Sequence, residues 1–529
     1  MSIAEVGKGS SSSGEQELSR DSGSPAMSLS PERVLFMSIL LGAFARLYRL
    51  GSQSIWGDES LTLFKYAAGR NFAELWANIW HYATHPPLYF IIVHYWYLLG
   101  HSEFMLRFPS AVFGIASIPV MYALANRIFG KTTAAVSAVV VALSPLNIWY
   151  SQEARMYSLQ ILLCLAATLY FVKLWQGRRP KDAVLYIVFL LAALFTHLAT
   201  LALVAAHGIF ALLASIRNWR RFAAWALVQI VIICAFAPWL LNMVEARNDW
   251  NGTVKIGFVR PSSIMDTAYG FYSLSVGYSV GPSVADLHND TGMKAAKPHL
   301  GVIALTGIVF GLLAILGILH ARRSNSWGMW FLLAMMLVPA GLAGLASLIP
   351  GIPMNPRYMM VSIIPYSILL AMGAQEAFRR RILVISPALA FVLTVLAIYN
   401  NYFRPEYWKQ DVRSAVAEIK ADQRPGDVII ISSIELGGPF IYYYGRNGLP
   451  YYGYPSRPGL VDEGRIPTDL VSLTTGKRRV WLLLGRTWSS DPRGLIPDYF
   501  SRRATLVTTR TYPGIRLLCY NLGAPPRRN

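Results

Sequence analysis

The stretch ERVLFMSILLGAFARLYRLGSQSIWGDES, residues 32–60, decides how this chain has to be read. It opens with an apolar run over 32–50, close to the roughly 20 residues that a bilayer core requires of a helix. It closes on Asp58 and Glu59, two adjacent acids a few residues beyond that run. Acids at the mouth of a membrane segment are either solvated loop or chemistry. The rest of the chain has to separate the two.

Hydrophobic residues make up 54% of the 529 and charged residues only 14%. The mean hydropathy of +0.39 is that of an integral membrane protein. The net charge of +20 is gathered into short runs between apolar segments. These are Arg178, Arg179 and Lys181; Arg217, Arg220 and Arg221; Arg322 and Arg323; and Arg379, Arg380 and Arg381. Such runs follow the positive-inside pattern of cytoplasmic loops and argue against a nucleic-acid partner. Of three cysteines, Cys164 and Cys234 lie in apolar segments and Cys519 stands alone, so no disulfide or metal spacing is present. Residues 1–30 are rich in Ser and Gly and read as a disordered cytoplasmic tail. The first apolar run lacks a small-residue cleavage pattern and reads as a retained helix.

Eleven segments qualify as spans: 32–50, 105–129, 131–149, 156–175, 183–199, 200–216, 222–243, 300–319, 327–349, 358–377 and 382–399. With the basic runs and the N-terminus cytoplasmic, the Asp58-Glu59 loop, the 150–155 turn, His197 and everything after 400 fall outside. That assignment closes only if the chain from 59 to 105 crosses an even number of times. The 14-residue piece 86–99 is therefore expected to be re-entrant or interfacial. After 400 the pattern changes to a helix over 409–423, buried strands at 426–432 and 478–485, and a hairpin over 504–522. The expected architecture is a polytopic all-α membrane bundle (31–400) carrying a small α/β domain (401–529) on its outer face. No Gly-rich phosphate loop follows a strand there.

Four clusters gather on the outer side: Trp56-Gly57-Asp58-Glu59; THPPLY (84–89) with His85; YSQEARMY (150–157) with Glu153, Arg155 and Tyr157; and NPRYMM (355–360) with Arg357 and Tyr358. Each has an ordinary explanation. Trp56, Tyr150, Tyr157 and Tyr358 suit an interfacial aromatic belt, and Arg357 could snorkel. His197, between two short helices, is more often a satisfied structural group than a metal ligand. The combination carries more weight, because ionisable groups at membrane depth are costly and face a cavity or one another. A carboxylate able to deprotonate a hydroxyl, with arginines to hold a departing phosphate, suits a reaction on a lipid-borne phosphate.

Asp58-Glu59 after the first span, His85-Pro86-Pro87-Leu88-Tyr89, RFPSAVFG (107–114) and SPLNIWYSQEARMYSL (144–159) together resemble the GT-C glycosyltransferases. The resemblance covers roughly residues 32–400. It is nearest to family 39, the protein O-mannosyltransferase and aminoarabinose-transferase type with its RgtA/B/C/D-like members. It implies inverting transfer of a sugar from a polyprenyl-phosphate donor to a lipid, glycan or protein acceptor on the outer face of the cytoplasmic membrane. The family's first-loop acid maps onto Asp58 as base, with Glu59 expected to orient it or the acceptor. The second-loop acid maps onto Glu153, here within Gln-Glu-Ala-Arg. Arg155 and Arg357 are the expected phosphate clamp, with His85, Tyr157 and Tyr358 as further substrate contacts. Family members differ in using a divalent ion, for which His197 is the candidate ligand. A transporter or flippase of lipid-linked sugars would also need a polar cavity among helices, but no inverted repeat with paired broken helices is visible. A polysaccharide polymerase or ligase would share the topology.

Overall fold

The computed structural model describes residues 30–523 except 70, 83–84, 178, 217, 254–263, 290–292, 350–353, 382 and 458. The tail expected over 1–30 lies outside the described residues up to residue 29, as do Thr84, Arg178 and Arg217.

Every one of the eleven expected segments is helical, but their lengths divide them. Seven helices are long and apolar enough to cross a bilayer. An eighth span results if Lys131–Leu143 and Pro145–Ser151, bent by 54°, count together. Pro31–Leu47, Pro180–Leu194 and Thr200–Ala214 have 17, 15 and 15 residues. At 1.5 Å per residue they rise only about 23–26 Å, against a core of about 30 Å. Among the described residues, seven or eight of the expected eleven are full-length spans by length and composition. The two 15-residue helices are cut short by the turn that carries His197. The 86–99 segment forms the helix Leu88–Tyr97, whose ten residues rise about 15 Å. It is too short to cross.

The bend at Ser144 has a local cause that positions the site. Pro145 occupies the first turn of its helix, and the Ser144 hydroxyl accepts from the Asn147 amide at 3.4 Å. The carbonyls left free at the end of Lys131–Leu143 are met by Arg46, which is fully buried. Its Nη1 donates to Ala142 O at 2.9 Å and its Nη2 to Val141 O at 3.0 Å. A Cβ on Gly114 would stand 2.0 Å from Ser151 Oγ and 2.9 Å from Arg46 Nε, so only glycine lets the helices approach this closely. The half-helix Pro145–Ser151 thereby delivers the 152–156 turn to the mouth of the bundle.

A second buried guanidinium fixes the other side of that mouth. Arg107, inside the otherwise apolar helix Glu103–Phe129, grips Glu59 with paired bonds. Its Nε donates to Oε1 at 2.7 Å and its Nη2 to Oε2 at 2.7 Å, with both side chains at most 1% exposed. Arg107 Nη1 also donates to the carbonyls of Leu50 and Gln53, and the amide of Ala154 donates to Glu59 Oε1 at 2.9 Å. One carboxylate thus ties the first loop, the 103–129 helix and the 152–156 turn together.

Past residue 400 the expected α/β domain is present. Strands β1 (Asp427–Ile431), β2 (Tyr451–Gly453), β3 (Arg479–Gly485), β4 (Thr505–Tyr512) and β5 (Ile515–Asn521) form one sheet in the order β2-β1-β3-β5-β4. β1 runs parallel to β2 and β3, while β5 is antiparallel to β3 and β4. β1 and β3 are buried throughout because both sheet faces are covered. Val428, Ile430, Leu482 and Leu518 pack on one face, and Ile429, Trp481, Leu483 and Cys519 pack with the helix Val412–Asp422 on the other.

The domain is clamped onto the first loop. Arg413 donates to the carbonyls of Gly51, Ser52 and Gln53 and pairs with Glu103 at 2.5 Å. Tyr443 accepts from the Ile55 amide at 2.7 Å. A Cβ on Gly438 would lie 2.3 Å from Ser60 Oγ, so the helix Gly437–Tyr444 rests directly on Gly57–Thr62.

Removing one member of a fully buried ion pair leaves the other desolvated and unpaired, which costs about 3–5 kcal/mol. Arg107→Ala should therefore lower the melting temperature of the detergent-solubilised protein sharply. Burial would raise the Glu59 carboxyl, yet Arg107 and Lys409 bring it down to about 2 from an ordinary value of 4.5. The stability this contributes is present above the ordinary value and is lost as pH falls toward about 2. Acid unfolding of Glu59→Gln should correspondingly lose part of that pH dependence.

Candidate active site

A cavity of about 1360 Å³ lies between the bundle mouth and the C-terminal domain. One end is charged and is lined by Asp58, Glu153, Arg357, Lys409 and Arg486. The other end runs among span helices, past Ile303, Phe310 and Ala314 on one helix and Met336 on the next. Charge at one end and hydrocarbon at the other is the lining an amphiphile requires.

Asp58 stands in the first turn of the short helix Gly57–Thr62, where its negative charge suits the helix dipole. Its Oδ2 accepts from Arg357 Nη1 at 3.2 Å, and both side chains are about a third exposed, at 31% and 28%. Burial would raise the Asp58 carboxyl, but Arg155, Arg357 and Arg486 outweigh it and hold it below the ordinary range. Asp58 is therefore ionised at neutral pH. Arg357 sits in the first turn of the span Pro356–Arg379, where Asn355 caps the backbone by accepting from the Arg357 amide at 3.1 Å. Its Nη1 also donates to the Tyr157 hydroxyl at 3.0 Å.

Arg155 lies behind this pair and outside the cavity wall. Its Nη1 reaches the Asp58 carbonyl and Thr62 Oγ1, each at 3.4 Å. Its Nη2 donates to His85 Nε2 at 2.9 Å. Burial, with Arg155 and His197 nearby, keeps the His85 ring well below its ordinary value and so neutral. His85 and His197 stack at 6.1 Å, and His197 lies 5.6 Å from the Tyr157 ring. Glu153 faces the cavity and is almost wholly buried, 3.7 Å from Lys409 Nζ. Burial raises its carboxyl, Lys409 only partly offsets that, and Glu59 and Asp58 raise it further. Lys409 itself is held over the rings of Trp56 and Trp149, at 5.7 and 5.5 Å.

The structure thus brings Asp58, Glu153 and Arg357 to one wall, with Arg155, His85, Tyr157 and His197 as a supporting layer. Glu59 is turned away toward Arg107 and acts on Asp58 only through the backbone they share. Tyr358 packs beside Arg357, whose guanidinium carbon lies 5.9 Å from the ring centroid. Trp56 and Tyr150, expected as belt residues, line the cavity. The metal expectation at His197 does not fit. Among the described residues no group of three or more His, Cys, Asp or Glu is placed to hold an ion, and His197 Nδ1 accepts from the Ala199 amide at 3.1 Å.

Three residues were not anticipated in these roles. Arg107 carried a signal, because an arginine deep in an apolar helix requires a partner. Lys409 sits next to Trp408 just past the last span, a weaker sign. Nothing in the sequence marks Arg486, which only the docking of the C-terminal domain brings to the cavity.

Residues 84–241 match the family model of dolichyl-phosphate-mannose-protein mannosyltransferases. Across the whole chain, the structure superimposes on apo ArnT of Cupriavidus metallidurans with a TM-score of 0.54 at 14% identity. That match covers 93% of this chain and 99% of the other. At that identity the likeness is one of fold. A second structure, the oligosaccharyltransferase AglB of Archaeoglobus fulgidus, in complex with an inhibitory peptide and a dolichol-phosphate, matches with a TM-score of 0.52 at 12% identity. It covers 94% of this chain and 75% of that one. The candidate mannosyltransferases YycA and YkcB of Bacillus subtilis (strain 168) are 21% and 23% identical over 45% of this chain. The chain spans only about a third of their lengths, 36% and 34%.

The buried Glu153–Lys409 pair gives a direct test of the site's electrostatics. Lys409→Met should strand the Glu153 carboxylate and lower stability, and Glu153→Gln in the same chain should restore part of the loss. A double-mutant cycle read by thermal unfolding should return a coupling of about 1–3 kcal/mol. A coupling near zero would mean that the two charges do not interact.

Proposed function

We propose that the protein is an inverting glycosyltransferase that takes a sugar from a polyprenyl-phosphate donor and passes it to a lipid, glycan or protein acceptor at the outer face of the cytoplasmic membrane. The single observation that carries this reading is the Asp58–Arg357 pair at the charged end of a cavity whose other end is apolar. The apolar end suits a prenyl tail and the charged end its phosphate. The family-model match and the dolichol-phosphate in the AglB structure support the same donor class.

In this mechanism the acceptor hydroxyl attacks the anomeric carbon from the face opposite the phosphate. The carbon–oxygen bond to phosphate breaks as the glycosidic bond forms. Asp58 takes the acceptor proton, and the polyprenyl phosphate leaves with one more negative charge than it carried as an ester. Arg357 stabilises that growing charge. Once Arg357 turns to the phosphate, Asp58 loses one of the cations that depress it and becomes a stronger base. Arg155, tied to the Asp58 carbonyl, Thr62 and His85, serves in this reading to hold the base in place.

Orientation follows from one helix. Arg357 begins the span Pro356–Arg379, and Arg379, Arg380 and Arg323 gather around Glu376 at its far end. The arginine-rich end belongs in the cytoplasm by the positive-inside rule, which puts the site outside.

Asp58→Asn should insert and fold normally while losing about 10²–10⁴-fold in transfer from a polyprenyl-phosphate sugar; near-wild-type turnover would remove Asp58 as the base. Orientation is checked with a membrane-impermeant thiol reagent added to intact cells in a background lacking Cys234. A cysteine at exposed Asn447 should react and one at Arg381 should not. The opposite pattern would turn the site to the cytoplasm.

A further inference from the structure

The C-terminal domain places a cation, Arg486, in the cavity that is paired more loosely than Arg357 or Lys409. At the charged end, Arg357 is engaged with Asp58 and Tyr157, and Lys409 faces Glu153. Arg486, at the end of β3, differs. Its Nε, like those of Arg155 and Arg357, is buried without a hydrogen-bond partner, but its ion pair is long and shared with a half-exposed carboxylate, Glu435 at 4.0 Å, whereas Arg357 is hydrogen-bonded to Asp58. It also lines the cavity beside Trp488, whose ring lies 5.3 Å from its guanidinium carbon.

Its position next to the base follows from packing. A Cβ built on Gly57 would stand 3.2 Å from the Glu435 carbonyl oxygen, so the segment that carries Asp58 rests on the residue whose carboxylate pairs with Arg486. The backbone of Arg486 is left-handed, with φ +52° and ψ 32°. That region favours glycine and is uncommon for a long side chain. An arginine held in an unfavourable backbone region, with a buried donor unsatisfied and facing a cavity, is a residue waiting for an anion.

We propose that Arg486 is a substrate-binding residue, contributed by the C-terminal domain, that grips the phosphate of the lipid donor from the side opposite the bundle. This rests on the donor class proposed above. With Arg357 it would hold the phosphate between two guanidiniums, one from the membrane bundle and one from the soluble domain. Arginine suits this because its fork can pair with two phosphate oxygens at once. The same chemistry would accept an anionic group on the acceptor, so the test must separate the two sources.

The full-length protein in nanodiscs is titrated with undecaprenyl phosphate and, in parallel, with uncharged undecaprenol. Binding is followed by tryptophan fluorescence, since Trp56, Trp149, Trp408 and Trp488 line the cavity. Wild type should prefer the phosphate. Arg486→Gly and Arg486→Asn both suit a left-handed backbone, so the fold should persist and melting temperatures should not fall. Both should bind undecaprenyl phosphate about 10- to 100-fold more weakly, the scale of a charge-assisted contact. Undecaprenol binding should be unchanged, and Arg486→Lys should recover part of the loss. Wild-type affinity for undecaprenyl phosphate in the glycine and asparagine variants would overturn the assignment, as would a defect confined to the acceptor's KM. A wild-type protein with no preference for the phosphate over the alcohol would instead overturn the donor reading, and this inference with it.

Discussion

The buried pair of Glu59 and Arg107 is the constraint from which the rest of the bundle mouth follows. An arginine cannot be left unpaired inside an apolar helix, and a carboxylate cannot be buried without compensation. Each is tolerable only in the presence of the other. Because Glu59 also accepts from Ala154, satisfying this one pair sets the distance between the first loop and the 152–156 turn. Asp58 is the immediate neighbour of Glu59, and Arg155 the neighbour of Ala154. The placement of the proposed base and of the cation behind it is inherited from a contact that faces away from the cavity.

The C-terminal domain completes this arrangement. Its parallel β1 and β3, covered on both faces, make a rigid block whose strand end points at the bundle mouth. Arg413, Tyr443 and Gly438 fasten it to residues 51–60 and to Glu103, the same region that the buried pair holds from below. The cavity therefore has a floor of membrane helices and a roof of soluble domain. Lys409 and Arg486 reach it only because the roof is fastened.

Much of this was legible in residue order. The hydropathy runs gave the long helices but not Phe72–Tyr82 or Ile264–Val276, and the pattern past residue 400 gave four of the five strands within one or two residues while missing β2. Asp58, Glu153 and Arg357 were picked from clusters far apart in sequence and meet at one wall. What the sequence could not supply was direction. Asp58 and Glu59 are adjacent and chemically alike, yet a helical step of about 100° sends one to the cavity and the other to Arg107. Composition does not fix the span count for a related reason. Apolar composition marks burial as readily as membrane crossing, and the 15-residue helices on either side of His197 are apolar without being long enough.

The half-buried ion pair between Asp58 and Arg357 acts as a filter on what the site recognises. Each group already satisfies the other, so a molecule entering the cavity must offer more than it displaces. A neutral glycolipid, whatever its tail, brings no charge to exchange for the carboxylate and leaves the arginine where it was. Under the proposed reading, only an anionic headgroup competes for Arg357, and only then is Asp58 released to act. The pair would thereby tie the activation of the base to the identity of the leaving group, and keep the site chemically silent toward the uncharged lipids that surround it in far greater number.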